Sequence, residues 1–571
     1  MDNISAVQGT HPPLEYDRNV CYRDQEAKES AGLARGHTKF ANARETVLHD
    51  IDVSLRAILD MKTRLNTLTA IGRLPEELLA EILITFVQEH YHPTHRDYPV
   101  YSNHPPPQWI KLTHVCRHWR NIALDTVRLW SHIYLTRADA LAEFLTRSKA
   151  APLHIDLRYN HSNTSRNISS LDLIPPVSLR IRSLSVDAEI LRVQAFCKQL
   201  TRPLEHLEKL ALSSPLPHFG FYGPPPAVPF FQTEGLTPRL SHLELVRLPF
   251  RWTDPIFRSS LTTLKVTSPQ RNPRHRDRPD VGTTTELLDI LERIAPRLEV
   301  LHLNGALPTP NSQDLGPPPP PRSLSFPSLR SLRLCGPTYD CANLFSQFSS
   351  MDQIASLHLR GSSGSRGMKD LIRSLSNHLS TRPLVAVCFG SSCRSFDIDI
   401  LGWQTTDVSS DAPIRLMFCG LHGAGEEDAM PMFVRESPPL FSRLEYLKLV
   451  NGISYKLKWR DLFSLTPQVR TLAFHGHPFD LFDALLDIRV LPSGQRLVPL
   501  PELRAVYFND ILFRYPGDDM DQEFIDDMIT WVTLRSQHEM PIETLELRDC
   551  QHSEKKDMQA LRRIVPNVVV G

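Results

Sequence analysis

A short apolar phrase recurs along the last two-thirds of the chain. Its form is L-x-x-L-x-L, with Ile, Val or Phe at some of the apolar positions. The last two apolar positions alternate with polar residues, which is typical of a strand with one buried face. We expect strands at residues 210–212, 243–245, 264–266, 301–303, 332–334, 357–359, 447–449, 472–474, 506–508 and 545–547, with weaker copies at 184–186, 387–389 and 414–418.

Helical periodicity separates several of these strands. Apolar residues recur at helical spacing in residues 285–294, 370–379 and 521–531. A strand and a helix repeated about every 30 residues predict a stack in which each unit buries its apolar face on its neighbours. We therefore expect an α/β fold, with a leucine-rich-repeat-like solenoid over residues 151–571. The copies are degenerate, because the Asn or Cys usual after the last leucine is replaced, as at Ala306.

The N-terminal third has a different pattern. Residues 1–44 are polar and aperiodic, which favours a disordered tail. In the predicted helix at 45–69, apolar residues follow an a/d heptad at Leu48, Ile51, Leu55, Ile58 and Leu65. Fewer than three heptads are too few to specify a coiled coil. An amphipathic helix packed on its own domain and a short coiled coil both remain open.

Residues 70–136 carry two amphipathic stretches and an interruption. The stretch after Pro75 predicts a helix with acidic residues in its first turn. Prolines and histidines at 90–108 predict an exposed insertion loop, after which helical periodicity resumes at Trp109. A connecting helix is expected at 137–150.

Composition excludes some classes of protein. Lys plus Arg and Asp plus Glu both number 64, so the basic excess typical of nucleic-acid or anionic-membrane binding is missing. No run approaches 18 apolar residues, and no secretory leader is visible. Nine cysteines without a C-x-x-C pair fit a reducing compartment. We expect a cytoplasmic or nuclear protein that binds neither nucleic acid nor membrane.

No set of residues assembles a recognisable reaction centre. The 47 prolines and 24 glycines indicate stiff connections and few glycine-rich phosphate loops. Four histidines between His90 and His104 have no nearby cysteine partners for structural zinc. Cys116 lies within an apolar face, which favours a buried structural cysteine over a nucleophile. We therefore expect no metal, no cofactor and no catalytic residue.

Three motifs in residues 74–133 together resemble the F-box. They are L-P-x-E-L from Leu74, V-C-x-x-W from Val115 and L-W-x-x-I from Leu129. The insertion at 90–108 and the degenerate repeats downstream resemble the expanded fungal F-box family. The resemblance implies a Skp-type adaptor as partner and, through it, a cullin. It also implies that the adaptor-binding residues are Leu74, Pro75, Leu78, Ile82, Leu83, Val115, Cys116, Trp119 and Trp130.

The resemblance implies the substrate-recognition subunit of a Skp–cullin–F-box ubiquitin ligase. In that role the solenoid would hold an unknown target protein close to a ubiquitin-charged enzyme. The alternative is a protein-interaction scaffold on the same solenoid, without ubiquitin transfer. The sequence does not identify the target, because binding residues on a solenoid are scattered.

Overall fold

The structure is a computed structural model of the full chain. It describes residues 23–90, 108–134, 137–159, 168–215, 228–258, 260–268, 281–308, 322–350, 353–362, 367–380, 382–392, 397–419, 433, 435–450, 459–476, 478, 480–490, 496–513, 524–551 and 554–571. The predicted insertion loop, apart from its two ends, and the first half of the predicted tail lie outside these ranges.

The described residues divide into two compact units, of which the first ends at Leu129. The first unit is helical: α1 spans Arg23–Thr67, α2 spans Glu76–His90 and α3 spans Arg117–Asp125. Short 3-10 turns at Ile71–Arg73 and Gln108–His114 precede α2 and α3. No helix in the described part of the chain is both long and apolar enough to cross a membrane.

Helix α1 begins at Arg23, so it includes residues 23–44 of the segment whose polarity favoured a disordered tail. Arg, Glu, Lys and Ala are good helix formers, and a polar sequence forms a solvated helix without a buried face. All side chains from Lys39 to Ala70 are exposed. The heptad leucines therefore do not pack on their own domain; Leu55 is 53% exposed.

The second unit holds the remaining helices, most of them short. They are α4 Ala138–Arg147, α5 Ile168–Leu171, α6 Ile190–Gln199, α7 Pro229–Gln232, α8 Thr284–Ile294, α9 Thr338–Phe345, α10 Met368–Leu379, α11 Trp459–Leu465, α12 Leu481–Leu485, α13 Phe524–Gln537 and α14 Lys555–Ile564. Helices α8 and α10 lie where helical periodicity predicted them. Helix α8 begins with a capping box, in which Thr283 and Glu286 satisfy each other's backbone N–H groups.

The strands of the second unit are mostly five to seven residues long. They are β1 His132–Ile133, β2 Leu153–Arg158, β3 Ile181–Asp187, β4 Lys209–Ser213, β5 His242–Val246, β6 Thr263–Thr267, β7 Val300–Asn304, β8 Leu324–Ser325, β9 Ser331–Pro337, β10 Phe348–Ser350, β11 Ser356–Ser362, β12 Ala386–Ser392, β13 Asp397–Trp403, β14 Ile414–Cys419, β15 Tyr446–Val450, β16 Thr471–His475, β17 Arg489–Val490, β18 Arg496–Leu497, β19 Ala505–Asn509, β20 Thr544–Arg548 and β21 Asn567–Val570.

Within the described ranges, seventeen strands form one sheet, and the pairs β8–β10 and β17–β18 form two small ones. Neighbours in the large sheet run parallel from β1 to β11, without β8 and β10, and from β15 to β21, without β17 and β18. The chain is thus mixed α/β, with a helical N-terminal region and a largely parallel sheet. That part of the predicted fold class is confirmed.

Every phrase predicted as a strand lies in this sheet, and the apolar positions share one register. Leu184 pairs with Leu210, Leu210 with Leu243, and Leu243 with Leu264. These leucines are at most 1% exposed. They form the core on one face, while the alternating residues of the same strands remain half-buried or exposed on the other face.

The strand order reverses once, where the sequence indicated only two weak copies. In space, β11 is followed by β14, β13, β12 and then β15. Strand β13 is antiparallel to both of its neighbours. The sequence predicted a regular repeat of one strand and one helix and did not single out β13, so the sheet departs from that expectation at this point.

Candidate functional site

A tight turn leads from α1 into the L-P-x-E-L motif. The Thr69 hydroxyl donates to Asn66 O at 2.7 Å and accepts from Gly72 N at 3.0 Å. A Cβ on Gly72 would lie 2.1 Å from Asn66 O, so only glycine fits there. Leu74 is extended, with φ −66° and ψ 141°, as expected for a residue before proline. The Pro75 carbonyl accepts the first helical bond, from Leu79 N at 3.1 Å.

Helix α2 has two apolar stripes instead of one. Leu79, Leu83 and Val87 are at most 2% exposed and form the stripe that is buried in the chain. Leu78 and Ile82 lie one turn apart on a different face and are 54% and 45% exposed. A helix that needed only its own core would carry polar residues at these two positions.

The V-C-x-x-W motif forms the start of α3. Cys116 is the N-cap residue, and its Sγ accepts from Trp119 N at 3.5 Å. Cys116 is half-buried, so the expectation of a buried cysteine is wrong; capping holds it at the surface. Val115, just before the cap, is 59% exposed. Arg120 Nε donates to Thr113 O at 2.9 Å and joins α3 to the preceding turn.

An ion pair connects α2 to the end of the first unit. Arg128 Nη1 lies 2.7 Å from Glu81 Oε1, and both side chains are more than half exposed. Exposed pairs of this kind contribute about 0–1 kcal/mol. The pair therefore orients the segment after α3 more than it stabilises it.

The nine predicted adaptor-binding residues fall into three groups by exposure. Pro75, Leu78, Ile82 and Val115 are exposed, and Leu74, Cys116 and Trp119 are half-buried. Leu83 and Trp130 are buried, so neither presents an apolar surface to a partner. Trp130 belongs to the second unit, where its ring packs edge-on against Phe144 with centroids 4.9 Å apart.

The structure adds one residue that the motifs did not include. Ile71, three positions before Leu74, is 41% exposed. Its signal in the sequence was weak, because one isoleucine beside a glycine fits a buried turn equally well. Among the described residues, no group of three or more His, Cys, Asp or Glu is placed to hold a metal ion. Of the four histidines between 90 and 104, those after His90 lie outside the described ranges.

Comparisons with known proteins locate a family in this same region. No curated protein matches the chain. A family model described as F-box-like matches residues 71–136. That match begins at the exposed Ile71 and includes the turn before α2, helix α2 with its two stripes, and helix α3. The chain therefore contains an F-box-like domain at residues 71–136.

Proposed function

We propose that the chain is the substrate-recognition subunit of a Skp–cullin–F-box ubiquitin ligase. The F-box-like domain binds a Skp-type adaptor, and the large sheet of the second unit binds a target protein. The chain itself supplies no catalytic group. It accelerates ubiquitin transfer by holding a target lysine near an enzyme that the cullin recruits.

The exposed apolar residues of the F-box-like domain carry the first half of this proposal. Leu78, Ile82 and Val115 are each about half exposed inside a region that matches the F-box-like model. Amphipathic helices bind partners by placing residues at i and i+4 into an apolar groove. Leu78 and Ile82 have this spacing, and F-box domains generally bind Skp-type adaptors. The adaptor is therefore the partner that this face fits best.

The second half of the proposal is that the large sheet forms a leucine-rich-repeat-like solenoid. The residue after a strand has positive φ at five positions along the sheet: Arg247, Gly305, Gly476, Asp510 and Asp549. Arg247, Gly305, Gly476 and Asp510 each donate their N–H to a carbonyl on the next strand, as Arg247 does to Thr267 O at 2.7 Å, and Asp549 donates to Gly571, just after β21. A turn repeated after so many strands supports one structural unit used many times.

The position that is usually Asn in such repeats is apolar in this chain. Leu248, Ala306 and Ile511 each lie three residues beyond the last apolar position of an L-x-x-L-x-L phrase, and each is at most 1% exposed. Burial of an apolar side chain takes the place of the usual polar one. This explains why the consensus failed at these positions while the strand pattern persisted.

Co-purification with a Skp-type adaptor tests the proposed role. We expect the full-length chain to capture the adaptor, and Leu78→Glu with Ile82→Glu to reduce capture at least about tenfold, because two charges enter an apolar contact. The matched control is Leu179→Glu with Leu191→Glu, since these leucines of the second unit are 50% and 53% exposed. The control variant should capture the adaptor as the wild type does.

The same preparation separates the two roles of the domain. An adaptor-bound chain that also captures a cullin, and whose targets accumulate when Leu78 and Ile82 are changed, supports the ligase. Capture of adaptor without cullin would favour the scaffold without ubiquitin transfer. Failure of the wild type to capture the adaptor would reject both.

A further inference from the structure

A pocket of about 550 Å³ lies on the open face of the large sheet. It is lined by residues of β9, β11, β12, β13, β14 and β15 and by the β13–β14 connection. These strands include the three whose order is reversed. We call it the sheet-face pocket.

Its floor is a small apolar cluster on the face opposite the main core. Ala386, Cys388 and Trp403 are at most 8% exposed, and Val408 and Tyr446 pack against them. Trp403 Nε1 donates to Ser410 O at 3.1 Å, which holds the β13–β14 connection against the floor. This face is buried only around the pocket, because neighbouring strands carry half-buried or exposed polar residues on the same face.

Cations line both ends of this floor. Arg333 pairs in register with His358, and His358 with Arg415, on three adjacent strands. Adjacent strands are about 4.8 Å apart, so two guanidinium groups flank one imidazole. Leu401 and Cys388 follow in the same row, and Lys448 comes next on β15.

The charges in the pocket do not cancel. Arg415 is already paired, since its Nη2 lies 2.7 Å from Asp399 Oδ2. Within the described ranges, neither Arg333 nor Lys448 has a carboxylate within ion-pair distance. Asp411 on the β13–β14 connection is the one carboxylate among the lining residues. Two unpaired cations against one carboxylate leave the pocket positive.

His358 lies between Arg333 and Arg415 in this row, and one of its ring nitrogens has no hydrogen-bond partner among the described residues. That nitrogen, Nε2, is buried. Burial, together with Arg333 and Arg415, lowers the pKa of His358 to about 4. The imidazole is therefore neutral at pH 7 and, with its proton on Nε2, donates a hydrogen bond without adding charge.

We propose that the sheet-face pocket binds an oxyanion-bearing side chain, phosphorylated or carboxylate, of a target polypeptide. Arg333 and His358 contact the oxyanion, the apolar floor takes a flanking side chain, and Lys448 closes the far end. Guanidinium groups match the geometry of phosphate and carboxylate. This inference rests on the proposed function, because it names what the sheet recognises in a target.

A polypeptide fits the sheet better than a nucleic acid does. The same row of the sheet carries carboxylates at Glu244 and Glu546, outside the pocket. A nucleic acid needs cations spaced along its whole backbone. Elsewhere on this face both signs of charge occur, as where Lys265 Nζ lies 3.8 Å from Glu244 Oε2. The pocket instead carries an excess of cations, which suits a single acidic group on an otherwise neutral segment.

Fluorescence polarisation on the full-length chain tests the pocket with three pools of nine-residue peptides. The pools have random flanks and a central phosphoserine, glutamate or serine. We expect the phosphoserine or glutamate pool to bind about tenfold more tightly than the serine pool. Arg333→Met with Lys448→Met should weaken the binding of that acidic pool to the level of the serine pool. Asp411→Asn should strengthen the binding, an increase that misfolding cannot produce.

The matched control removes two cations of the same face outside the pocket, Lys209→Met with Lys265→Met. Equal binding of the three pools, or an equal loss in the control, would overturn the proposal. Binding of inorganic phosphate without binding of either acidic pool would overturn the assignment to a polypeptide. Adaptor capture is measured on the same samples. A wild-type chain that binds the acidic peptides but does not capture the adaptor would reject the ligase role alone. A wild-type chain that captures the adaptor but does not distinguish the peptide pools would reject the pocket alone.

Discussion

Arg535 Nη2 donates a hydrogen bond to the carbonyl oxygen of Leu503 at 3.1 Å, deep inside the second unit. The Arg535 side chain is 1% exposed. Its other N–H groups donate to the carbonyls of Pro499, Leu500 and Met540, each at 3.1 Å. One buried guanidinium thus joins helix α13 to the segment before β19 and to the segment before β20.

Replacement of Arg535 should destabilise the chain strongly. We expect Arg535→Met to lower the free energy of unfolding by about 3 kcal/mol or more, because several buried carbonyls lose their donor at once. Chemical denaturation followed by circular dichroism measures the change. Arg504→Met is the matched control, since Arg504 is 58% exposed in an ion pair with Glu543, and it should cost less than about 1 kcal/mol. Equal losses would show that the carbonyl contacts contribute little.

The two stripes of α2 should respond differently to truncation. Leu79→Ala removes a side chain that is 0% exposed and should cost about 2–5 kcal/mol. Leu78→Ala, one residue earlier and 54% exposed, should change stability by less than about 0.5 kcal/mol. Thermal unfolding of both variants measures the difference. A large loss in Leu78→Ala would mean that this face is occupied within the chain.

Local alternation was enough to predict most strands of the sheet, although β1, β2, β13 and β21 were not predicted. Leu243 and Leu245 point to one face because successive side chains in a strand alternate, and the structure places both in the core. The F-box-like region was found because its three motifs occur in order. Each strand pattern and each motif spans only a few residues of the chain.

Features that join distant segments could not be predicted in this way. Nothing in residues 397–403 shows that β13 separates β12 from β14, because spatial order is not written in local alternation. The same holds for the contact of Arg535 with Leu503, and for the row from Arg333 to Lys448. Leu83 illustrates a different limit, since a helical period identifies an apolar face without showing whether the chain or a partner covers it.

Half-buried histidines should make the second unit less stable in mild acid. Burial and nearby cations lower the pKa of His302 to about 4, below the value of about 6.5 in an unfolded chain. The folded chain therefore binds fewer protons between these pH values. Its stability is full above about pH 6.5 and falls as the pH drops towards 4. His302→Gln should reduce the loss in melting temperature between about pH 7 and pH 5.

An exposed histidine provides the control for that measurement. His206 is exposed, and His206→Gln shows how much the loss of any one histidine changes the measurement. His302 Nε2 also lies 3.0 Å from Ser331 Oγ, so glutamine keeps a polar group at this position. If His302→Gln and the wild type lose the same melting temperature, protonation of His302 does not contribute to acid sensitivity.

The turn before α2 should tolerate no side chain at residue 72. The Cβ of Gly72→Ala would lie 2.1 Å from Asn66 O and 2.9 Å from Thr69 Oγ1, so the turn must open. We expect a loss of about 1–3 kcal/mol and faster proteolysis between α1 and α2. The control is Gly390→Ala, where the nearest atoms to a new Cβ are 3.9 Å away. Because this turn positions Leu74 and Pro75 at the start of α2, Gly72→Ala should also weaken adaptor capture. A variant with wild-type proteolysis and wild-type capture would show that the turn adapts without moving the motif.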